Sequence, residues 1–273
     1  MFATRLDQSH EALITGFLEQ DPVANLFALG ALEQWGVDRN PGAEWWGCIN
    51  SDGGVDALAY AEGHRVGLGY ALIVPMGDPR GLAALAPALR GREGAAWMVG
   101  EEGAIAALAG ALSEGPPAMN RRQLLMALES VHPGPTMQVR QAVLGDLSWV
   151  SEAARAVNEE DLGEGIIDMD GNAFRRKIES SIACGAEWVG AGRTYRAKVG
   201  TRCRHGAQLG GIWVPPQSRG RGLGQMATRA LCQHLLVETP RITLHVDVEN
   251  SRALRCYDAV GFVAIRDFQL WVR

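Results

Sequence analysis

The chain has 273 residues, of which 47% are hydrophobic and 21% are charged, and its formal net charge is −5. This composition excludes a disordered chain, and the acidic balance argues against broad affinity for nucleic acid. The sequence contains no apolar run long enough to span a bilayer, so we expect neither a membrane nor a nucleic-acid partner. The length fits one large or two medium domains, each able to bury a core.

The five cysteines are scattered along the chain, and their spacing does not match a metal site. We interpret them as reduced thiols and predict no metal; Cys256 is interpreted as a packing residue. Residues Met1 to Gln8 include Arg5 and Asp7 and lack the apolar stretch of a signal peptide. These features predict a cytoplasmic protein.

Alternating apolar residues in the first half predict three successive strands, at Trp45 to Ile49, Val55 to Ala61 and Leu68 to Val74. The loop Gly77-Asp78-Pro79-Arg80-Gly81 follows, and then an alanine- and leucine-rich helix. Asp78 places a negative charge in this loop and Pro79 lacks an amide donor, so the loop is poorly suited to bind phosphate. The chain divides near Ser130 to Thr136, where two prolines flank a glycine as in a linker.

Strands and helices alternate beyond this division. Strands are predicted at Val139 to Val143, Tyr195 to Val199, Gln208 to Val214, Ile242 to Val248, Phe262 to Ile265 and Phe268 to Val272. Helices are predicted at Leu147 to Val157, Asn172 to Cys184, Gly220 to Val237 and from Asn250 onward. The predicted buried stripe of the third helix consists of Leu223, Met226, Ala230 and Leu231.

The most informative motif is the loop Val214-Pro215-Pro216-Gln217-Ser218-Arg219-Gly220-Arg221-Gly222-Leu223-Gly224, between a strand and a helix. Glycines at alternate positions let consecutive backbone amides surround an anion, and the helix start adds unpaired donors and a positive dipole end. Arg219 and Arg221 add two charges. The loop lacks the lysine of a Walker A motif and the spacing of a dinucleotide-binding fingerprint. A plain glycine-rich turn is the alternative interpretation.

A second motif lies downstream, in the segment from Asn250 to Phe262. Asn250 is a good helix N-cap, and Gly261 is placed to end the helix in the left-handed conformation. Asn250, Leu254 and Tyr257 fall at helical spacing and share one face. By itself, this tyrosine would be interpreted as a core residue.

Together the two motifs resemble the GNAT superfamily of acyl-CoA-dependent N-acyltransferases. The shared pattern is Gln217-x-x-Gly220-x-Gly222, then a helix and a strand, then Asn250-x-x-Ala253-x-x-x-Tyr257-x-x-x-Gly261-Phe262. The resemblance covers about residues 137–273. It implies an α/β protein with tandem GNAT-like domains, each a mixed, mostly antiparallel twisted sheet flanked by helices. The expected boundaries are 1–135 for a degenerate GNAT-like domain and 136–273 for a catalytic one.

The resemblance also implies roles for individual residues. The end of the strand at Ile212, Trp213 and Val214 should leave its neighbour and pair with the pantetheine arm of acetyl-CoA. The amides from Arg219 to Gly224 should bind the pyrophosphate, and Asn250 should line the coenzyme channel. Tyr257 should protonate the departing thiolate, whose conjugate acid has a pKa near 8.5. The expected binding set is therefore Ile212, Trp213, Val214, Gln217, Arg219, Gly220, Arg221, Gly222, Leu223, Gly224 and Asn250.

The residue that removes a proton from the acceptor amine is not identified by the sequence. Many relatives carry a glutamate on the strand before the phosphate loop, whereas His205 to Trp213 contains no carboxylate and has Gly210 near that position. His205, Gln208, Glu159 and Glu160 are the open alternatives. The acidic segment from Asn158 to Gly165 either attracts a cationic amine or is simply solvated.

The sequence therefore predicts an N-acetyltransferase that moves an acetyl group from acetyl-CoA to a primary amine by direct attack on the thioester. The amine is a small molecule or belongs to a peptide. Two alternatives stay open at this point. One is a non-catalytic acyl-CoA-binding regulatory module, and the other is a GNAT transferase with a longer acyl or an aminoacyl donor. The oligomeric state is not predicted.

Overall fold

The computed structural model describes residues 2–62, 70–90, 95–112, 116–163 and 171–273. No helix in these ranges is both long and apolar enough to cross a membrane. The strands are β1 (Phe2–Leu6), β2 (Ala43–Ile49), β3 (Val55–Glu62), β4 (Tyr70–Gly77), β5 (Ala95–Glu101), β6 (Met119–Leu128), β7 (Val139–Gln141), β8 (Glu187–Gly190), β9 (Arg196–Cys203), β10 (Gly206–Trp213), β11 (Ile242–Asp247) and β12 (Val263–Val272). The helices are α1 (Glu11–Leu18), α2 (Leu26–Trp35), α3 (Pro79–Leu89), α4 (Glu102–Leu112), α5 (Leu147–Leu162), α6 (Gly171–Ala183), α7 (Leu223–Leu235) and α8 (Ser251–Val260).

The chain forms two compact units. The first consists of Met1–Leu125 and Ile265–Arg273, and the second of Met126–Ala264. The compact units thus change at 125/126, and the last residues of the chain return to the first unit. The predicted assignment of separate roles to residues 1–135 and 136–273 stays a prediction.

The first unit is built on a sheet with the strand order β1-β2-β3-β4-β5-β12. Its neighbours are antiparallel, except that β4 and β5 are parallel. Small residues on β3 let α3 approach closely, since a Cβ on Gly81 would lie 2.8 Å from the Cβ of Ala57. Leu82, Leu85 and Leu89 of α3 are buried in the resulting core. The predicted strand beginning at Leu68 begins at Tyr70 in the described residues.

The second unit has the strand order β11-β10-β9-β8-β7, and the end of β6 from Met126 to Leu128 belongs to this unit as well. The strands from β7 to β10 are antiparallel to their neighbours, and β10 is parallel to β11. Helices α5 and α6 bury Val150, Ala154, Phe174 and Ile178 in one core cluster. Both units thus contain a mixed, mostly antiparallel sheet with helices, as predicted from the sequence.

Two predicted elements of the second half were wrong. The strands expected at Phe262 to Ile265 and Phe268 to Val272 form one strand, β12, whose first five residues are exposed and whose last five are buried. An exposed start weakens the alternating pattern and imitates a break. In α7 the buried apolar residues are Ala227, Leu231, Cys232 and Leu235. The prediction is thus confirmed for Leu231, while Leu223, Met226 and Ala230 are only partly buried.

The predicted linker at Ser130 to Thr136 is held against the second unit. Arg229 of α7 is 1% exposed, and its guanidinium donates to the carbonyls of His132 (3.1 Å), Pro135 (2.9 Å) and Ala259 (2.8 Å). A Cβ on Gly134 would lie 2.7 Å from the Arg229 guanidinium carbon. The glycine between the two prolines therefore provides room for a buried arginine. The sequence pattern alone indicates only a linker at this place.

Candidate functional site

The site begins where β10 and β11 separate. Their parallel pairing covers Ala207↔Ile242, Gln208↔Thr243 and Leu209↔Leu244, although β10 continues to Trp213 and β11 to Asp247. Beyond these residues the two strands therefore do not pair with each other, and a gap lies between their ends. This is the separation expected of the strand that ends at Trp213 and Val214.

The glycine-rich loop follows β10 and starts α7. Gly220 has φ of +75° and Gly222 has φ of +73°, a conformation that side chains other than glycine rarely adopt. A Cβ at either position would meet no atom within 4 Å, so the space beside the loop is open. A larger residue would be strained there only by the backbone conformation. Gly222 is the N-cap of α7 and no side chain caps this helix start. The first amides of α7 are thus available to an anion.

Helix α8 brings Tyr257 to the same place. The side chain of its N-cap residue, Asn250, accepts a hydrogen bond from the amide of Ala253 at 3.1 Å, and Gly261 ends the helix in the left-handed conformation, as the sequence predicted. Tyr257 is buried, and its ring meets that of Phe262 edge to face at 5.8 Å. Burial raises the pKa of the Tyr257 phenol above its ordinary value, and the charge of Asp161 adds to this effect.

These elements enclose one cleft of about 730 Å³. Most of the predicted binding residues line it together with Tyr257, namely Ile212, Trp213, Val214, Arg219, Gly220, Gly222, Leu223, Gly224 and Asn250. Gln217 and Arg221 are exposed beside the loop and are not among the lining residues. Their contact with a coenzyme stays a prediction.

The side chain of Arg219 is engaged within the protein. Its guanidinium donates to both carboxylate oxygens of Glu160, at 2.6 and 2.8 Å, and to the carbonyl of Val214 at 2.9 Å. The Trp213 indole donates to the same carboxylate at 3.1 Å, and its ring lies 6.4 Å from that of Trp149. Glu160 therefore ties the end of α5 to the glycine-rich loop, and the Arg219 guanidinium is engaged by protein oxygens. Anion binding by this loop stays a prediction.

Of the four candidates for the residue that deprotonates the amine, only Glu160 lines the cleft. Of the acidic segment, Glu160 and Asp161 line the cleft and Glu159 does not; Glu164 and Gly165 lie outside the described residues. His205 and Gln208 are absent from the lining, since Gln208 lies in the paired part of β10. Gly210 leaves open space where a side chain would project.

Several lining residues were missed from the sequence. Ser218 is buried in a short 3-10 turn and lines the cleft, in place of the predicted neighbour Gln217. Cys256, interpreted from the sequence as a packing residue, is partly buried and also lines the cleft. Burial raises the pKa of the Cys256 thiol to about 11. Arg252 and Arg255 belong to the same lining, but neither lies three or four positions from Tyr257, so helical spacing gives no signal for them.

The cleft thus combines a helix start without a side-chain cap, the separated end of a strand and a protonated phenol. A phosphate-bearing thioester fits this set: the open glycines admit its phosphates and the strand edge can pair with an amide-containing arm. In the part of the chain that the structure describes, no cluster of three or more acidic, histidine or cysteine side chains could hold a metal ion. These features are the ones expected of an acyltransferase whose donor is a phosphate-bearing thioester.

Comparison with known proteins agrees with this class. The family model described as FR47-like protein matches residues 192–272. A mycothiol acetyltransferase of Nocardioides sp. is 28% identical over 236 residues, which is 74% of this chain and 79% of that protein. The peptidyl-lysine N-acetyltransferase YjaB of Salmonella typhimurium is 28% identical over 99 residues, 35% of this chain and 65% of that protein.

Solved structures share the fold at low sequence identity. A GCN5-related N-acetyltransferase from Sphaerobacter thermophilus has a TM-score of 0.63 at 15% identity and covers 100% of this chain and 95% of its own. A tandem GNAT protein from the clavulanic acid biosynthesis pathway has a TM-score of 0.57 at 15% identity, covering 99% and 97% of the two chains. These structures show that the chain has the fold of GNAT proteins, including the tandem arrangement, and the curated relatives that it resembles are acetyltransferases.

Proposed function

We propose that the second unit transfers an acetyl group from acetyl-CoA to a primary amine that attacks the thioester directly. The observation that carries this proposal is the single cleft in which the uncapped start of α7, the separated end of β10 and Tyr257 meet. Acetyl-CoA supplies an activated acyl group on a thiol. Amides of the α7 start bind the pyrophosphate, and backbone groups of Ile212 to Val214 pair with the pantetheine arm.

Tyr257 acts as the general acid in this proposal. A carbon–nitrogen bond forms, the carbon–sulfur bond breaks, and the sulfur takes a proton from the phenol. A cationic acceptor first releases one proton to solvent and becomes a neutral amine, and the second proton, lost after the attack, restores the phenol through solvent. Because burial raises the pKa of Tyr257, the phenol is protonated throughout the neutral range and is available as a donor.

The acceptor is proposed to be cationic when it arrives. Glu160 is paired with Arg219, and Asp161, which lines the cleft, places a negative charge near Tyr257. A carboxylate at the mouth of a cleft attracts an alkylammonium ion over several ångströms. The names of the relatives make a mycothiol-type amine and a peptidyl lysine the first acceptors to test. We also propose that the protein is cytoplasmic.

Substitution of Tyr257 tests the chemical step. Tyr257→Phe should lower kcat about 100-fold or more, the usual contribution of a positioned general acid, while acetyl-CoA affinity stays within about twofold. Tyr195→Phe is the matched control, because Tyr195 is also buried in the second unit, it is absent from the cleft lining, and its hydroxyl contacts that of Thr228 at 3.1 Å. Steady-state kinetics of both variants would show this difference, and an unchanged kcat in Tyr257→Phe would remove the acid role.

A further inference from the structure

A bulge in β10 lies directly before the cleft. Gly210 is paired with Lys198 and Trp213 with Arg196, so β10 advances by three residues (210 to 213) while β9 advances by two (198 to 196). Gly211 lies in this bulged stretch, and its φ is +54°. Such bulges redirect a strand and the backbone groups that follow it.

A buried ion pair holds this bulge. Arg196 and Glu187 have side chains that are 5% and 0% exposed. The Arg196 guanidinium donates to Glu187 at 3.0 and 2.9 Å and, through its remaining nitrogen, to the carbonyl of Gly211 at 3.0 Å. The hydroxyl of Ser181 donates to Glu187 at 2.9 Å. These four hydrogen bonds measure 2.9 to 3.0 Å, and one of them is made to Gly211 in the bulge.

The ion pair is a poor source of stability by itself. Removing two charges from water costs several kcal/mol each, and the attraction between them offsets this cost only when the geometry is good. A buried pair of this kind is better explained by the conformation that it selects. Here the selected feature is local: a Cβ on Gly211 would lie 2.4 Å from the Arg196 Nη1 atom, so the arginine and the glycine fit only each other.

The consequence for the cleft follows from the planar peptide. The carbonyl of Gly211 and the N–H of Ile212 belong to one trans peptide unit and point in opposite directions. Arg196 reaches this carbonyl from β9, on one side of β10, while the gap toward β11 lies on the other side. Ile212 lines the cleft.

We propose that Arg196, fixed by Glu187, is a positioning residue that sets the Gly211–Ile212 peptide so that its N–H is presented to the acyl-pantetheine arm of the donor. This inference rests on the proposed function. It assigns to the ion pair a role in recognition of the arm and none in recognition of the diphosphate, which lies against the α7 start. The two parts of the donor can therefore be used to test it.

The test compares acetyl-CoA with ADP, which carries a diphosphate and lacks the arm, by titration calorimetry on the full chain. Arg196→Lys retains a charge for Glu187 but cannot bridge to Gly211 with a second nitrogen, and Gly211→Ala blocks the same hydrogen bond while leaving the ion pair. Each variant should bind acetyl-CoA about tenfold more weakly than the unchanged protein, with ADP affinity within about twofold. The double variant should be no weaker than either single one, because both remove one contact.

Gly210→Ala is the matched control, since its Cβ would meet no atom within 4 Å; it should bind both ligands normally. Thermal melting of each variant accompanies the titrations. Equal losses for acetyl-CoA and ADP, loss of the fold in both Arg196→Lys and Gly211→Ala, or unchanged acetyl-CoA affinity would overturn the positioning role. An unchanged protein that binds no acetyl-CoA would instead contradict the proposed function itself.

Discussion

The start of α3 in the first unit and the start of α7 in the second can be compared directly. Each follows a strand whose parallel pairing ends early: β4 pairs with β5 only from Tyr70 to Ile73, and β10 pairs with β11 only from Ala207 to Leu209. Each borders a cleft of about 730 Å³. Both units thus have a strand that separates from its parallel neighbour, followed by a helix start beside a cleft. The residues at the two helix starts differ.

At α3 the protein supplies its own anion. The Asp78 carboxylate accepts from the amides of Arg80 at 2.8 Å and Gly81 at 3.2 Å, and Pro79 has no amide to offer. At α7 the N-cap is Gly222, without a side chain to occupy the amides. Separated strands therefore leave a cleft in both units. The two units differ in the N-cap residue, which sets whether the amides of the helix start are available to a phosphate.

The largest effect expected from this comparison is the loss of coenzyme binding in Gly222→Asp. A carboxylate would enter the cradle, repel a diphosphate and strain the backbone at φ of +73°. Acetyl-CoA affinity should fall at least about 100-fold, which corresponds to about 3 kcal/mol. Trp213 lines the cleft, so its fluorescence can follow the titration.

Gly53→Asp is the control for this variant. Gly53 has φ of +81° and open space around its missing Cβ, and it lies in a turn of the first unit. It should carry the same backbone strain with normal acetyl-CoA affinity. Equal binding by Gly222→Asp and the unchanged protein would show that the α7 start is not the anion site.

A smaller effect concerns the acid stability of the second unit. Hydrogen bonds from Arg140 lower the pKa of the buried Asp146 carboxyl to about 2, with help from the Val143 amide and Arg193. The folded-state pKa lies below the unfolded one, so the contribution is complete above about pH 4 and is lost as the pH falls through about 2. Asp146→Asn should therefore cost about 2 kcal/mol at pH 7 and almost nothing near pH 2.

Denaturant unfolding of Asp146→Asn at several pH values checks this prediction. Asp267→Asn serves as the surface control in the first unit, because its ion pair with Arg122 is long (3.9 Å) and exposed, and such pairs contribute little. A pH-independent cost in Asp146→Asn would contradict the ion-pair explanation.

The smallest effect is expected at the α3 start. Asp78→Ala removes the N-cap and should reduce stability by about 1 kcal/mol, as loss of a helix cap usually does. Acetyl-CoA binding should be unchanged in affinity and stoichiometry, because Pro79 still lacks an amide donor and Asp56 and Glu101 still line this cleft. A second coenzyme site in Asp78→Ala would show that the carboxylate alone had closed a functional cradle.

Much of the second unit could be predicted from its sequence because its signals are local. The alternation in Ile242 to Val248, the Asn250 cap and the left-handed Gly261 each depend on neighbouring residues, and the structure confirms them. The errors come from contacts between distant residues. Glu160 meets Arg219 across 59 positions and Arg229 meets His132 across 97, and no spacing rule connects such pairs.

The most direct test of the central claim is to titrate acetyl-CoA into the full chain by calorimetry and to read the stoichiometry. We predict one site per chain, abolished in Gly222→Asp and retained in Gly53→Asp and Asp78→Ala. Two sites per chain, or a single site that survives Gly222→Asp, would contradict the claim that the uncapped start of α7 is what separates the second cleft from the first.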